Sequence, residues 1–211
     1  MPRPGKDRYH HGDLRAALIE TAAELIAERG LRGFSLAETS RRLGVAVSAP
    51  YAHFKDRDDL LAAVWVRAFE LLYAALVPAT AEFPEPADRL AAMARAYVRF
   101  AAGNRPMFEM LYESGLDKSR HPEIEAAERP LDEAFESCVR ALADDDDGLA
   151  DEMAIAFEAT ARGHAMLLLD GGSSPDEDAV EQAAERAARA TRALVESRSA
   201  LVISSRRGVQ E

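Results

Sequence analysis

The sequence predicts an all-α protein of about nine helices. Strand-like alternation of apolar and polar residues is nearly absent, and the good helix formers Ala, Leu, Glu and Arg dominate its 211 residues. Apolar residues recur at helical spacing, with glycine, proline and capping residues between these stretches. The chain is 48% hydrophobic and 30% charged, so it can bury a core, and disorder along its whole length is excluded.

The composition excludes several classes of protein. No uninterrupted apolar run approaches the roughly 18 residues of a membrane span. The first residues lack the apolar stretch of a secretory signal. The single cysteine, Cys138, rules out an internal disulfide framework and fits a reducing compartment. We therefore expect a cytoplasmic protein that does not contact a membrane.

The formal net charge of −11 is unevenly distributed along the chain. Residues 1–60 carry ten Lys and Arg against nine Asp and Glu, whereas residues 61–211 carry sixteen against twenty-eight. A protein this acidic is a poor general polyanion binder, although nucleic acid binding needs only a local cationic surface. Charge alone therefore favours an acidic soluble protein with a mixed surface. Two cationic groups stand out near the N-terminus: the pair Arg41-Arg42, and a basic arm of Arg3, Lys6 and Arg8.

Capping residues and periodicity set the predicted helices. Gly30 and Gly44 end the first two helices, and Ser35 with Glu38 forms an S-x-x-E capping box at the start of the second. The predicted helices span residues 14–28, 36–43, 47–53, 56–77, 87–102, 105–113, 122–143, 149–169 and 175–199.

Three further expectations concern the later helices. Asn104 is placed to cap the sixth helix, and Ser174 is placed to cap the ninth, with Pro175 at its first position. Pro130 removes a backbone donor inside the seventh helix, so we expect a kink or a break there.

The second and third helices, joined by a tight glycine turn, form a helix-turn-helix signature. In that motif the second helix of the pair enters the major groove of DNA. The third predicted helix presents small and aromatic residues and no carboxylate, which permits approach to phosphates. An ordinary helical hairpin is the alternative. The core of the three N-terminal helices is expected to contain Leu18, Leu25, Phe34, Leu36, Leu43, Val45 and Phe54.

The same residues resemble the tetracycline-repressor (TetR) family of bacterial transcription regulators. The resemblance rests on GFSLAETSRRLGV at 33–45 and YAHFKDRDDLL at 51–61, preceded by YHHGDLR at 9–15. It implies a helix-turn-helix DNA-binding domain with a basic arm over residues 1–55. It also implies a helical ligand-binding and dimerisation domain over residues 56–211.

The resemblance implies a set of DNA contacts, residue by residue. Ser35 matches the residue that caps the second helix and touches a phosphate. Tyr51 matches the aromatic that contacts a phosphate or a thymine methyl, and Lys55 matches a phosphate-binding lysine. His53 matches the histidine that precedes the buried Phe54. The start of the recognition helix, which reads bases, is formed by Val47, Ser48 and Ala49.

Two departures from the family pattern concern the third helix. Ala46 stands where the family usually has Ser or Thr, so the helix lacks its ordinary side-chain cap, a loss of about 1 kcal/mol. Val47 and Pro50 leave few hydrogen-bond donors. Base reading is then expected to depend on thymine methyls, Ser48 and DNA shape. We also expect the basic arm to reach an adjacent minor groove or phosphates.

The resemblance to the TetR family also implies that the later helices form an effector cavity and a dimer interface. Soft, bulky side chains could line an adaptable apolar pocket, although a plain bundle core is the alternative. The candidate ligand-binding residues are Met93, Tyr97, Phe100, Met107, Met110, Leu111, Met153 and Phe157. Small residues of the last helix allow close packing across a two-fold axis, or within the chain. The candidate dimer residues are Met166, Ala183, Ala187, Ala190 and Leu194.

These expectations define a homodimeric repressor that a small apolar or amphipathic effector releases from a palindromic DNA operator. The alternative is a helical module that binds a small molecule or a protein without touching DNA. An enzyme is not expected, because no phosphate loop, dinucleotide fingerprint or nucleophile elbow is present. No cofactor and no metal are expected: His10 and His11 are adjacent and rarely converge on one ion, and His121 and His164 are isolated in the sequence.

Overall fold

The computed structural model describes residues 11–113, 115–170 and 174–201. Within these ranges the regular structure is helical and contains no strand, so the all-α prediction is confirmed. Short 3₁₀ turns connect several of the helices. The α-helices are α1 (His11–Arg29), α2 (Leu36–Leu43), α3 (Arg57–Leu76), α4 (Pro86–Gly103), α5 (Arg105–Glu113), α6 (Pro122–Leu142), α7 (Asp147–Leu169) and α8 (Glu177–Glu196).

The chain divides into two compact units. The N-terminal unit comprises the residues up to Phe69 together with Pro106–Ala127, and the C-terminal unit comprises Glu70–Arg105 and the residues from Glu128 onward. Helices α3 and α6 each contribute residues to both units. The domain boundary after residue 55 stays a prediction from the sequence.

Local capping defines α2 in the N-terminal unit. The hydroxyl of Ser35 accepts a hydrogen bond from the Glu38 N–H at 3.1 Å, and Gly44 ends the helix with a left-handed φ of 73°. The Glu38 side chain does not complete the capping box, since it pairs with Arg29 at 2.9 Å. Helix α1 packs on α2, and five predicted core side chains are buried: Leu18, Leu25, Phe34, Leu36 and Phe54. Leu43 and Val45 are only half-buried.

The recognition segment, residues 45–54, corrects the prediction of an α-helix over 47–53. It forms a turn followed by one 3₁₀ turn, Ala49–Ala52. The Ala49 N–H bonds to the Ala46 carbonyl at 2.9 Å, which is the shorter 3₁₀ pattern. Pro50 has no N–H to donate to the same carbonyl, so the first α-helical bond cannot form. Ser48 makes no side-chain cap either.

Helix α3 is long and strongly apolar. Among the described residues, the segment Arg57–Thr80 has the length and composition of a membrane span, with half of its apolar window buried inside the protein. Arg67 and Glu70 interrupt this segment, so it contains no long uninterrupted apolar run. A core helix of a soluble protein passes the same test. Leu60 and Val64 are fully buried, so we assign α3 as a core helix.

The C-terminal unit is built on α4, α7 and α8, which pack against one another. Alanines fill the contact between α4 and α8, so the two backbones can approach closely. Three ion pairs among the described residues then follow the antiparallel helices α4 and α8. They are Asp88 with Arg192 at 2.9 Å, Arg95 with Glu185 at 2.6 Å, and Arg99 with Glu181 at 2.6 Å.

The structure bears on three expectations for the later helices. Asn104 lies at the end of α4, where its N–H and Nδ2 both donate to the Phe100 carbonyl, and its capping of α5 stays a prediction. Asp176, not Ser174, caps α8, because its Oδ1 accepts from the Ala179 N–H at 2.8 Å. Helix α6 continues through Pro130 without a break, so of the two expected outcomes the kink stays a prediction.

Candidate DNA-binding surface and effector site

The recognition segment presents its apolar side chains to solvent. Val47 is 54% exposed and Tyr51 is 60% exposed, which is unusual for large apolar and aromatic residues. Ser48 is exposed and Ala49 is half-buried. Residues 45–54 contain no carboxylate. The segment therefore offers a neutral, partly apolar surface, suited to thymine methyls and to close approach of phosphates.

Of the other predicted DNA contacts among the described residues, Ser35 and Lys55 lie outside this segment and His53 lies within it. Lys55 is exposed directly after it, and Ser35 lies at the start of α2 with its hydroxyl already accepting the Glu38 N–H. His53 is half-buried, and its Nε2 is buried without a hydrogen-bond partner among the described residues. That nitrogen therefore faces the protein rather than solvent. Arg3, Lys6 and Arg8 lie outside the described residues.

Arg57, which the sequence analysis did not single out, fixes the start of α3. Its Nη2 donates to the Leu31 carbonyl at 2.6 Å, and its guanidinium lies 5.1 Å from the centroid of the Phe34 ring. These contacts join α3 to the loop that precedes α2. Helix α2 and the recognition segment lie between those two anchor points, so Arg57 closes the stretch of chain that contains them.

Two aspartates organise the backbone that follows the recognition segment. Asp56 Oδ1 accepts from the Asp59 N–H at 2.9 Å, and Asp59 Oδ2 accepts from the Lys55 N–H at 3.0 Å. The bond from the Asp59 backbone holds the pKa of the Asp56 carboxyl below its ordinary value. The backbone of Lys55 is thus fixed by a side chain one turn into α3.

The two arginines at the end of α2 are both paired in this structure. Arg42 forms a bidentate ion pair with Glu28 of α1, and Arg41 pairs with Glu38. The bond from Arg42 lowers the pKa of the Glu28 carboxyl. The Arg42 pair joins α1 to α2. Both arginines therefore form ion pairs within the chain rather than standing free for DNA phosphates.

The predicted effector residues are divided between the two units. Met110 and Leu111 are buried in the N-terminal unit, where Met107 is half-buried. In the C-terminal unit Tyr97 is half-buried. The other members of the set in that unit are buried: Met93, Phe100, Met153 and Phe157.

One concavity in the C-terminal unit brings Phe100 to a solvent-accessible surface. Its volume is about 380 Å³, and its wall is mostly apolar. Arg99 and Asn104 supply its polar groups, but Arg99 is held by both oxygens of Glu181. That bond raises the pKa of the Arg99 guanidinium. The lining residues are Leu71, Ala75, Ala79, Ala96, Arg99, Phe100 and Asn104.

The predicted dimer residues fall on two different surfaces. Ala183 and Ala187 are buried within the chain, on the face of α8 that packs against α4 and α7. They therefore offer little surface to a second chain, and their place in an interface stays a prediction. Ala190 and Leu194 are half-buried, and Met166 of α7 is 48% exposed.

Helix α7 carries exposed apolar residues that the sequence analysis did not select. Ile155 is 65% exposed and Leu167 is 74% exposed. Ala159 and Gly163 lie between them at intervals of four residues, on the same ridge of the helix. A Cβ placed on Gly163 would meet nothing within 4 Å, so this stretch of the ridge is open.

Two side chains of reactive type, Cys138 and His164, are engaged within the protein. Cys138 is buried, and burial raises the pKa of its thiol, which disfavours the nucleophilic thiolate. His164 Nδ1 lies 2.8 Å from the Thr160 carbonyl of its own helix.

Comparisons with known proteins agree with this architecture. The family model described as "Bacterial regulatory proteins, tetR family" matches residues 18–64, and the model described as "Tetracyclin repressor-like, C-terminal domain" matches residues 90–191. The HTH-type transcriptional regulator Rv1816 of Mycobacterium tuberculosis is 27% identical over 157 residues, which covers 72% of this chain and 67% of that protein.

Solved structures show the same fold. A protein of unknown function from Rhodococcus sp. RHA1 is 30% identical, with a TM-score of 0.64 over 87% of this chain and 98% of that one. The TetR family regulator PfmR of Thermus thermophilus is 22% identical, with a TM-score of 0.62 over 84% of this chain and 96% of that one. With its helix-turn-helix segment and its helical C-terminal region each matched, this chain belongs to the TetR family of DNA-binding transcriptional regulators.

Proposed function

We propose that this regulator is a cytoplasmic homodimeric repressor that a small apolar or amphipathic effector releases from a palindromic operator. The observation that carries the proposal is the exposed, carboxylate-free recognition segment, which lies with α2 between the contacts that Arg57 makes to Leu31 and Phe34. Contacts that hold such a segment in place before binding reduce the conformational entropy lost on binding DNA. Direct readout would come from Val47, Ser48 and Tyr51, and the exposed Lys55 would bind phosphate.

The proposed dimer interface is the exposed ridge of α7. Ile155, Ala159, Gly163 and Leu167 would face the same ridge of a second chain, since a two-fold axis brings identical surfaces together. The small central residues allow close approach of the two helices, and the large end residues supply apolar area. Met166 and the half-buried Leu194 of α8 would extend the interface. A dimer places two recognition segments on one duplex, which explains a palindromic operator.

The proposed effector site is the concavity lined by Phe100. Its apolar wall suits an aliphatic or aromatic body, and Asn104 offers a hydrogen bond to one polar group. Because Arg99 is already neutralised by Glu181, the site has no free cation to select a strongly acidic ligand. Leu71 and Ala75 belong to α3, whose first turn follows the recognition segment. An effector would act through α3 by binding one of its positions better than the other.

Selection from a random duplex pool tests the DNA-binding part. The purified protein is incubated with the pool at moderate salt, and the retained duplexes are sequenced. An inverted repeat is expected, since a two-fold dimer reads two half-sites. Failure to enrich any sequence at low salt, with a folded dimer, would favour the alternative of a binding module without DNA.

A cavity-filling pair of variants tests the effector part. Ala75→Phe places a ring in the concavity, whereas Ala74→Phe adds the same ring at an exposed neighbouring position of α3. A library of small amphipathic molecules is screened for release of the wild-type protein from the selected operator. Ala75→Phe is expected to retain operator binding and lose the response to a hit, and Ala74→Phe to retain both. An unchanged response in Ala75→Phe would place the effector elsewhere.

A further inference from the structure

A second group of functional side chains lies in the N-terminal unit, outside the recognition segment. Asp59 is in the first turn of α3, and His121 and Glu123 flank Pro122 at the start of α6. His121 Nδ1 lies 3.3 Å from Glu123 Oε1 and 4.0 Å from Asp59 Oδ1. One ligand atom of each of these three side chains lies within 4.8 Å of the other two. The fold therefore brings one imidazole and two carboxylates to a common point.

The imidazole of this group is buried, and its carboxylates reach solvent. His121 is 5% exposed, and its Nε2 has no hydrogen-bond partner among the described residues. Side chains of Asp59 and Glu123 are 28% and 50% exposed. The ring nitrogen that faces the two acids is Nδ1, which lies at hydrogen-bond distance from Glu123 Oε1, and an ion from solvent can reach both acids. The imidazole is thus held inside the protein, and the two carboxylates are accessible from solvent.

We propose that Asp59, His121 and Glu123 bind a divalent transition-metal ion of the Zn²⁺ class. An imidazole nitrogen with two carboxylate oxygens is a ligand set that Zn²⁺, Co²⁺ and Ni²⁺ accept, whereas Mg²⁺ and Ca²⁺ prefer oxygen alone. Two donors about 2.05 Å from a tetrahedral ion are about 3.3 Å apart, which matches the separation of His121 and Glu123. The two carboxylates balance the charge of the ion, and water takes the fourth position.

The second oxygen of Asp59 connects this site to the recognition segment. Asp59 Oδ2 accepts the Lys55 N–H at 3.0 Å, while Oδ1 is the oxygen that faces His121. An ion on Oδ1 fixes the carboxylate that holds the Lys55 backbone. Binding of the ion thus orders the chain where the recognition segment meets α3. Only the consequence for DNA rests on the proposed function; the site itself does not.

Cobalt titration of the full chain tests the site. The protein is freed of metal by a chelator and titrated with Co²⁺ at neutral pH, with visible ligand-field absorption as the readout, and Zn²⁺ is then added as a competitor. One ion per chain is expected. Asp59→Asn and Glu123→Gln should each weaken binding about tenfold or more, because even outer partners of a metal ligand contribute 10–100-fold.

Two controls separate this site from others in the chain. Glu125→Gln removes an exposed carboxylate of the same helical turn, and a double variant, His10→Ala with His11→Ala, removes the adjacent histidine pair. Both should bind Co²⁺ as the wild type does, and circular dichroism should show every variant folded. Absence of binding in the wild type, unchanged affinity in Asp59→Asn and Glu123→Gln, or loss in the His10/His11 variant would each overturn the site.

Amide hydrogen exchange at Lys55 gives a readout that needs no DNA. At a Zn²⁺ concentration that just saturates the wild type, the ion should slow this exchange in the wild type and slow it less in Glu123→Gln. Unaltered exchange in a wild-type protein that has bound the ion would overturn the connection to the recognition segment. Because neither measurement uses an operator, failure of the DNA-binding proposal would leave both results interpretable.

Discussion

The guanidinium of Arg57 lies 5.1 Å from the centroid of the Phe34 ring, and this contact fastens the start of α3 to the loop before α2. The same guanidinium donates to the Leu31 carbonyl at 2.6 Å. The chain between these anchor points contains α2 and the recognition segment. The Arg57 side chain thus connects the two ends of the stretch, α2 and the recognition segment, that is proposed to read DNA.

Replacing Arg57 by Met should destabilise the N-terminal unit. The variant keeps an apolar stem but loses the charged hydrogen bond to Leu31 and the contact with Phe34, for which about 1.5–3 kcal/mol is the ordinary range. Urea unfolding followed by circular dichroism measures the change in the free energy of unfolding. Arg129→Met, at a side chain that is 67% exposed, is the control. An equal change in the free energy of unfolding for the two substitutions would show that the contacts of Arg57 with Leu31 and Phe34 do not stabilise the unit.

Two serines near the recognition segment should differ in their contribution to stability. Ser35→Ala removes the hydroxyl that accepts the Glu38 N–H and should lower the free energy of unfolding by about 1 kcal/mol. Ser48→Ala removes a hydroxyl that caps nothing and should leave stability unchanged. Thermal unfolding of both variants compares the same chemical change with and without a cap. If Ser48→Ala were equally destabilising, the assignment of the cap to Ser35 alone would fail.

Lys55→Ala should weaken operator binding and reduce its dependence on salt. One fewer phosphate contact releases about one fewer counterion, so the slope of log K against log salt should flatten by about one unit. Fluorescence anisotropy with the selected operator at several salt concentrations measures the slope. Arg129→Ala removes an exposed cation of α6 and should leave the slope as in the wild type. A Lys55→Ala slope equal to that of the wild type would remove Lys55 from the interface.

The ion pairs between α4 and α8 should make the C-terminal unit sensitive to acid. Bonds from Arg99 and Arg95 hold the pKa of Glu181 and Glu185 below the ordinary value of 4.5. A carboxyl with a lowered folded pKa stabilises the fold above about pH 4.5, and this contribution is lost as the pH falls through the folded pKa. The free energy of unfolding should therefore decrease below about pH 4.5.

A double variant, Glu181→Gln with Glu185→Gln, should lose part of that decrease. Urea unfolding at a series of pH values between neutral and strongly acidic compares it with the wild type. Glu82→Gln, at an exposed position between α3 and α4, is the control and should follow the wild-type curve. A double variant with the full wild-type acid dependence would assign the dependence to other carboxyls.

Leu167→Glu should separate the proposed dimer into folded monomers. It places a charge at a side chain that is 74% exposed in one chain and buried in the proposed interface, where an unpaired charge is strongly unfavourable. Sedimentation velocity measures the oligomeric state, and circular dichroism verifies the fold. Ala141→Glu, on an exposed position of α6, is the matched control. A Leu167→Glu protein that remains dimeric would exclude this ridge of α7.

The helix boundaries and the N-terminal core could be predicted because their signals are local. Ser35, Glu38 and Gly44 lie within a few residues of the ends of α2, and α2 runs over Leu36–Leu43, the predicted range. The prediction of an α-helix over 47–53 was wrong, and the reason is again local. Ala46 and Pro50 predict a weak helix start, and together they convert the expected α-helix into a 3₁₀ turn.

Local sequence signals are enough to predict the all-helical class, the helix-turn-helix segment and, through the motif at 33–61, the family of this chain. Tertiary packing determines which face of α8 is buried, which ridge of α7 is exposed to solvent, and that Arg57 reaches Leu31. It also brought Asp59 to His121, although His121 looked isolated in the sequence. Capping and periodicity act within one or two helical turns, whereas these pairings depend on how whole helices pack, and no local pattern encodes that.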